Sequence, residues 1–570
     1  MKKPVLLKKI LNKILGESPA HLNQTAEASR KSWSIIEQYR ALQAKRLLGE
    51  TQPSGEAPRV LMATTMLGYN HAAVVDTVVG LGLVQRGARV EFLGCDRMLP
   101  ACQLMGYRKE PREGYGSPLV KKRCESCYTL GCSVNEELGF RLHKFSDYLP
   151  AERMEELLRL SNEVPLSELA SYTQDGVKLG EHALAGALRF FAKGELTSES
   201  HGEFVLRRYF ESALRVKEIF SRILRENRYQ SVVIHHGIYV PQGILVEVCH
   251  QYGVRVVTWN PAYRKHSFVF SQEDSYHHTM VSEPSENWEG LTLSAEQDKQ
   301  LTDYLMSRRY GTGDWIWFHK EPEHDLDIIA RELNLDRSKP IVTLLSNVVW
   351  DAQLHYASNA FSGMTDWVLE TIRYFEKRPG LQLVVRIHPA ELTGFVASRQ
   401  LLQDEIAKVF LKIPGNVRVV APDTQVSTYG LGDLSNAVLI YNTKTGIELS
   451  AFGIPVIVAG EAWIRGKGFS RDARNPEHYF SLLDELPFKT RLGERELKAA
   501  RLYAYHVFFR RMIPLPFIEG ISRAEFGVKL DSLDELKAGR SRGLDVVCEG
   551  ILDAKPFIYP AEEMANREGT

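Results

Sequence analysis

Short apolar runs, each closed by a polar or glycine-bearing loop and followed by a helical stretch, recur along most of the chain. Arg59-Val60-Leu61-Met62-Ala63-Thr64-Thr65 reads as a strand, Ala72 to Gln85 as a helix and Val90-Glu91-Phe92-Leu93-Gly94 as the next strand. Ser231 to Gly237 and Val254 to Trp259 are further strands, separated by a helix from Gln242 to Tyr252. A second series opens at Pro340 to Asn347. It runs through a helix near Trp367 to Phe375, the strand ending at His388, a helix across Gln400 to Phe410, and strands at Val417–Val420, Val438–Tyr441 and Ile454–Val458. Continuously apolar strands of this kind are buried on both faces of a parallel sheet. The β-α-β repetition implies right-handed crossovers. The pattern therefore predicts an α/β protein of two Rossmann-like, doubly wound parallel-sheet domains facing a cleft.

The same pattern divides the chain. Residues 1–50 form a helical, basic amphipathic segment, and 51–290 the first Rossmann-like domain, interrupted by a helical insertion at about 151–228. Residues 291–335 are a polar helical connector, 336–490 the second Rossmann-like domain, and 491–570 a long helix followed by a Pro-rich, charged tail. In Met1 to Leu15 the apolar residues fall near helical spacing among lysines, a design that lies in a bilayer interface with anionic lipid. The alternative is a helix that docks its leucines on the protein body. No apolar run is long enough to span a bilayer and no secretory signal is apparent, so the expectation is a cytoplasmic protein, peripheral on the inner face of the cell membrane.

Charge narrows the partners. Lys+Arg and Asp+Glu each number 71 among 570 residues, a balance that argues against nucleic acid as the main partner. Seven cysteines without an export signal fit a reducing compartment. Cys95, Cys102, Cys124, Cys127 and Cys132 crowd into one region, and Cys124-Glu-Ser-Cys127 has the spacing that lets two thiolates grip one metal. Cys95, Cys102, Cys124 and Cys127 are therefore candidate ligands of a structural zinc, with an iron–sulfur centre as the second choice. Buried, unconnected thiols are the plain alternative.

Two stretches carry the candidate chemistry. Val384-Val385-Arg386-Ile387-His388-Pro389-Ala390-Glu391 delivers a histidine to the sheet's carboxyl edge, where ligands of open α/β sheets bind. About fifty residues on, the turn Asn442-Thr443-Lys444-Thr445-Gly446 opens a helix, offering amides, hydroxyls and a lysine to an anion. His388, Glu391, Asn442, Thr443, Lys444 and Thr445 are thus candidate nucleotide-phosphate contacts on adjacent strands, with Glu448 on a ribose diol. An N-cap role would account for Asn442 or Thr443 equally well. In the first half, His71 after Gly68-Tyr69-Asn70 is a candidate general base, with Asp76 orienting it. His235, His236 and, from the opposite side, Asp351 compete for that role.

Arg386-Ile387-His388-Pro389-Ala390-Glu391, Asn347-Val348-Val349-Trp350-Asp351 and Thr445-Gly446-Ile447-Glu448 through Gly453-Ile454-Pro455-Val456-Ile457 resemble bacterial capsular polysaccharide biosynthesis proteins. These are related to GT-B glycosyltransferases, including the capsule Kdo transferases. The resemblance is strongest over roughly 340–475. It implies a GT-B-like fold and transfer of a sugar from a nucleotide-sugar donor to a glycan or lipid-linked glycan acceptor, with no cofactor required for catalysis. In CMP-sugar-using relatives a His-Pro pair and a Ser/Thr-rich loop grip the phosphate; His388-Pro389 matches the first, and residues 442–445 match the second loosely. A sugar-nucleotide 2-epimerase, or a non-catalytic nucleotide- or glycan-binding subunit of a capsule assembly complex, are the competing readings.

Overall fold

Six strands follow one another in the first half: β1 (Arg59–Met62), β2 (Arg89–Gly94), β3 (Arg141–Lys144), β4 (Ser231–His235), β5 (Val256–Pro261) and β6 (Ser267–Gln272). Six more follow: β7 (Ile341–Leu345), β8 (Gln382–Arg386), β9 (Val417–Val420), β10 (Ala437–Ile440), β11 (Val456–Val458) and β12 (Arg471–Asp472). In the computed structural model, which describes residues 57–107, 118–315, 322–351, 356–394, 396–522 and 525–564, these build two sheets. The expected N-terminal amphipathic helix lies outside the described residues. The second sheet has the order β12-β11-β10-β7-β8-β9 and is parallel throughout.

The first sheet has the order β13-β6-β5-β4-β1-β2-β3, where β13 (Ile513–Pro514) arrives from the far end of the chain. β1 to β5 pair in parallel, but β6 and β13 run antiparallel to their neighbours. The purely parallel sheet expected here is thus mixed at one edge. Ala262 to His266 is the whole connection between β5 and β6, far too short for the crossover that parallel pairing needs.

Strand periodicity places the cores. Leu61, Val232 and Ile234 face one side of the first sheet, while Val60, Met62 and Val233 face the other. The first side is covered by the helices Leu179–Phe191, Gly202–Glu226 and Gln242–Gln251. In Gly202–Glu226 the buried Val205, Tyr209, Ala213, Val216, Phe220 and Ile223 recur at three- and four-residue steps, the stripe of an amphipathic helix. On the other side lie Asn70–Val84 and Arg542–Asp553. The second sheet repeats the arrangement, with Leu439 and Tyr441 on one face and Val438 and Ile440 on the other. Among the described residues no helix is long and apolar enough to cross a membrane.

Residues 491–570 are more than a tail. Helix Glu494–Tyr505 packs on Thr445–Ala451, then widens into a π-turn at His506–Arg511 that carries the chain back to the first lobe. There His506 Nε2 lies 2.8 Å from Glu283 Oε1, and Arg511 Nε 3.3 Å from Glu283 Oε2. Ile513, Leu515, Leu544, Val547 and Ile551 share a core with Val60 and Val233, so this segment completes the first lobe. A hairpin of β14 (Ile518–Ser522) and β15 (Glu525–Val528) packs beside it against Asn70–Val84.

One buried charge cluster joins connector to second lobe. Helix Ala295–Arg309 starts with a Ser294/Gln297 capping box and ends by burying Arg308. Arg308 pairs with Asp314 and, at 2.9 Å, with Glu448 Oε2; Lys444 Nζ reaches Glu448 Oε1, also at 2.9 Å. Burial would raise the Glu448 carboxyl, but Arg308 and Lys444 hold it down at about 2.

Asp76 is placed by the same logic of burial. Five helical residues from His71 amount to roughly 140° around the axis, so the two leave different faces. Asp76 Oδ1 instead accepts a hydrogen bond of 2.8 Å from Trp259 Nε1 inside the lobe, which corrects the expectation that it orients His71. Burial pushes its carboxyl up to about 7, against the lowering effect of Thr64 and Trp259.

Two outcomes follow for stability. Arg308→Ala leaves Glu448 and Asp314 buried without their guanidinium and should destabilise the protein by about 3–5 kcal/mol, read as a lower urea midpoint. Asp76 has a folded pKa above its unfolded one, so its stabilisation is complete below about pH 4 and lost as pH rises through about 7. Asp76→Asn should therefore remove a pH-dependent loss on the order of 1.4 kcal/mol per unit across that window, measured as the variant-minus-wild-type difference in unfolding free energy.

Candidate functional site at the facing sheet edges

The carboxyl ends of the two sheets meet. After β4 the chain turns through His236 (φ 69°), Gly237 (φ 76°) and Tyr239 (φ 66°). Left-handed conformations at two non-glycine residues cost roughly 1–3 kcal/mol each and persist only where the surroundings enforce them. The turn delivers the Tyr239 hydroxyl to Asp351 Oδ1, 2.9 Å away, on the loop that follows β7. Nearby, His277 Nε2 is 3.0 Å from the Glu461 carbonyl, and its ring lies 4.4 Å from that of Tyr356. Asp351 thus reaches the cleft from the second lobe, with its carboxylate accepting from Tyr239.

On the second lobe the edge is built from three strand ends. His388 follows β8 and Asn442 follows β10, but β7 lies between the two strands, so they are not adjacent as expected. Strand spacing puts their ends about 10 Å apart, with Ser346 and Asn347, just after β7, filling the middle. Ser346 Oγ accepts from the His388 N–H at 3.0 Å, and Ala390 N–H donates to His388 Nδ1 at 3.0 Å. Accepting at Nδ1 leaves Nε2 as the protonated nitrogen of the neutral ring. Arg386, two residues earlier, turns into the lobe and donates to the Ala421 carbonyl at 2.6 Å.

Asn347 Oδ1 and Asn442 Oδ1 are both buried and accept no hydrogen bond among the described residues. Buried polar atoms without partners are uncommon and mark places where a ligand or water completes the site. Thr443 donates to the Thr445 hydroxyl at 3.2 Å, and Thr445 N–H donates back to Thr443 Oγ1 at 3.4 Å, so this turn is held by its own hydroxyls. Helix Thr445–Ala451 is barely two turns, and its dipole adds little.

Three expected contacts are placed elsewhere. Lys444 points back to Glu448, with Nζ 4.0 Å above the Tyr263 ring; burial together with Arg308 lowers its pKa. Glu448 is closed off by Arg308, Lys444 and Tyr429 rather than open to a ribose. Glu391 is buried beneath the 390–402 loop, where it accepts from Leu402 N–H at 3.4 Å; burial raises it to about 7. A carboxyl buried this way shapes the loop that follows His388.

On the first lobe His71, His235 and His236 gather. The ring centroids of His235 and His236 are 5.7 Å apart, and Tyr69 lies 5.7 Å from His71 and 5.5 Å from His235. His71 packs against Phe526 at 4.3 Å, and burial lowers its pKa to about 4. Its Nε2 has no hydrogen-bond partner among the described residues. His71 is therefore neutral near pH 7 and able to accept a proton.

Beside these residues a cavity of ≈ 600 Å³ opens between the lobes, lined by Tyr69, Tyr107, Arg123, Arg189 and Phe191 of the first lobe and Arg399 of the second. Arg399 stacks over Tyr107 at 3.7 Å and pairs with Glu199 at 3.1 Å. Arg189 donates to the Gln103 carbonyl at 2.8 Å. Sequence reading missed these arginines because Arg189 looks like an ordinary basic residue in the last turn of a helix. Cys95, Cys102, Cys124 and Cys127 line a second, smaller cavity of ≈ 40 Å³.

No curated protein matches the chain. Among solved structures, the chain is similar to a KpsC beta-Kdo 2,4 transferase from Thermosulfurimonas dismutans, at 14% identity over 54% of this chain and 87% of that one, with a TM-score of 0.33. A UDP-GlcNAc 2-epimerase from Neisseria meningitidis is 10% identical over 78% of this chain and 95% of its own, TM-score 0.25. A glycosyltransferase from Rickettsia africae is 10% identical over 79% and 93%, TM-score 0.26. Similarity this slight bears on neither residue roles nor reaction. The family model described as capsule polysaccharide biosynthesis protein matches residues 316–490. That span, under a third of the chain, holds every strand of the second sheet, and over it the chain is similar to the capsule polysaccharide biosynthesis proteins that the model describes.

Proposed function

We propose that the protein is a glycosyltransferase of surface or capsular polysaccharide synthesis, moving a sugar from a nucleotide-sugar donor to a glycan acceptor, lipid-linked in the cell. The observation that carries this reading is the second lobe's edge, where His388, Asn347 and Asn442 present polar atoms in one row within the family-matched segment. In this reading the row holds the donor nucleotide: His388 Nε2–H donates to a phosphate oxygen, the hydroxyl-braced turn of Thr443 and Thr445 contributes further donors, and Asn347 and Asn442 bind the sugar or base.

Sugar transfer needs the departing nucleotide phosphate stabilised as its charge grows, which fixed hydrogen-bond donors provide without reorganisation. Across the cleft, neutral His71 takes the proton of the acceptor hydroxyl, with Tyr69, His235 and His236 excluding water around it. Asp351, tied to Tyr239, holds the lobes in register for that encounter. The arginines of the larger cavity receive the acceptor's anionic groups. Attachment to the inner face of the membrane, through the basic segment at residues 1–50, belongs to the same reading. An epimerase is disfavoured because its chemistry wants several carboxylates about the sugar, and Glu448 is engaged by Arg308 and Lys444.

The test is a thermal-shift comparison of CMP, UDP and GDP on purified protein. One nucleotide should raise the melting temperature, since a ligand present at a hundred times its Kd adds about 2.7 kcal/mol to the folded state. His388→Ala should abolish that shift and lower turnover at least about a hundredfold. No shift with any of the three, or a full shift in His388→Ala, removes the donor assignment. His71→Ala should lower turnover by about 100-fold or more while the nucleotide shift persists; a near-wild-type rate would pass the base role to His235 or His236.

A further inference from the structure

Four of the seven cysteines converge on a place that sugar transfer does not use. Cys95, Cys102, Cys124 and Cys127 line one cavity of ≈ 40 Å³ beside the cleft, and none forms a disulfide. Cys95 and Cys102 come from the loop after β2, Cys124 and Cys127 from successive turns of helix Pro118–Glu137.

Backbone donors meet three of the four sulfurs. Gly68 N–H donates to Cys127 Sγ at 3.2 Å. The amides of Arg97, Met98 and Leu99 turn onto Cys95, and that of Leu104 onto Cys102. Wrapping the chain around Cys95 holds Arg97 at φ 71°, a conformation an arginine adopts only under constraint. Arg97 and Arg123 line the same cavity and offset negative charge, while Met66, Leu99, Met105 and Val120 keep it apolar.

We propose that Cys95, Cys102, Cys124 and Cys127 bind a metal centre through four thiolates, either an iron–sulfur cluster or a zinc ion. Among the described residues no three His, Cys, Asp or Glu side chains stand at the separation a bare ion needs. The sulfurs lie on the cavity walls, which suits a cluster; zinc, with bonds of about 2.3 Å, requires the thiols to rotate inward. As each sulfur–metal bond forms, that cysteine gives its proton to solvent and no electron is transferred. Cys127 and Arg123 also line the cleft, and Gly68 lies three residues before His71. The centre thereby ties the helix to the loops that form the cleft wall, a role independent of which reaction the cleft performs.

The test is elemental analysis, acid-labile sulfide assay and visible absorption of the full chain purified without oxygen. About one zinc per chain, or about four irons with matching sulfide and thiolate-to-iron absorption, is the expected result and tells the two centres apart. Cys124→Ser/Cys127→Ser should lose the metal, and Cys132→Ser, whose thiol instead meets Glu136 at 3.1 Å, should keep it. Should the double variant fail to fold, thiol titration of native wild-type chain before and after a strong chelator should rise by about four groups. Wild-type chain without stoichiometric metal, metal retained by a folded double variant, or an unchanged thiol count after chelation overturns the proposal.

Discussion

The turn at 442–445 stays where it is because one guanidinium is buried behind it. Arg308 reaches Glu448 from the connector helix while pairing with Asp314, and Lys444 closes the other side of the same carboxylate. Removing water from these charges is costly, and only their mutual pairing offsets it, so each partner's position fixes the others. Tyr304 donates to Asp314 at 2.8 Å and Tyr429 to Glu448, so every carboxylate oxygen of the pair has a partner. The consequence reaches the cleft. With Lys444 and Glu448 committed inward, the outward face of the turn is left to Asn442, Thr443 and Thr445.

Around that anchor the two lobes share a buried apolar cluster, in which Ala262, Val269 and Met280 meet Val438, Ile440 and Trp463, and polar contacts add to it. Tyr239 with Asp351, His277 with Glu461, and Arg399 with Glu199 and Tyr107 all cross from one lobe to the other. The C-terminal segment acts differently: it leaves the second lobe on Glu494–Tyr505 and finishes in the first lobe's core through Ile513, Leu544 and Ile551. Two chain crossings, the connector and the C-terminal return, together with shared apolar packing and several polar contacts thus hold two sheets with their carboxyl edges opposed.

Legibility tracked how local each signal was. β1, β4, β8 and β10 are runs of Val, Ile and Leu and could be read directly, because burial on both faces demands that composition. β3, Arg-Leu-His-Lys, could not: its polar residues are acceptable only because His143 meets Glu91 of β2 at 2.7 Å, a partner fifty-two positions away. The helix Arg542–Asp553 was hidden in what read as a charged tail, since its apolar face makes sense only against Asn70–Val84. The cysteines showed the converse. Their clustering in sequence was visible, while the amides that meet Cys95 and Cys102 depend on how the 95–104 loop folds back.

The chain's local patterning settled the α/β class, the succession of strands and helices, and the delivery of His388, Asn442 and His71 to strand ends, because each is a property of a few consecutive residues. Tertiary structure decided what those positions face. It put β7 between the two ligand-edge strands, turned Asp76 toward Trp259, buried Glu391 and gave Glu448 to Arg308. The physical reason is common to all four. Whether a charged or polar side chain is exposed to a cleft or locked in a pair depends on partners tens to hundreds of residues away, and only the folded chain brings those partners within reach.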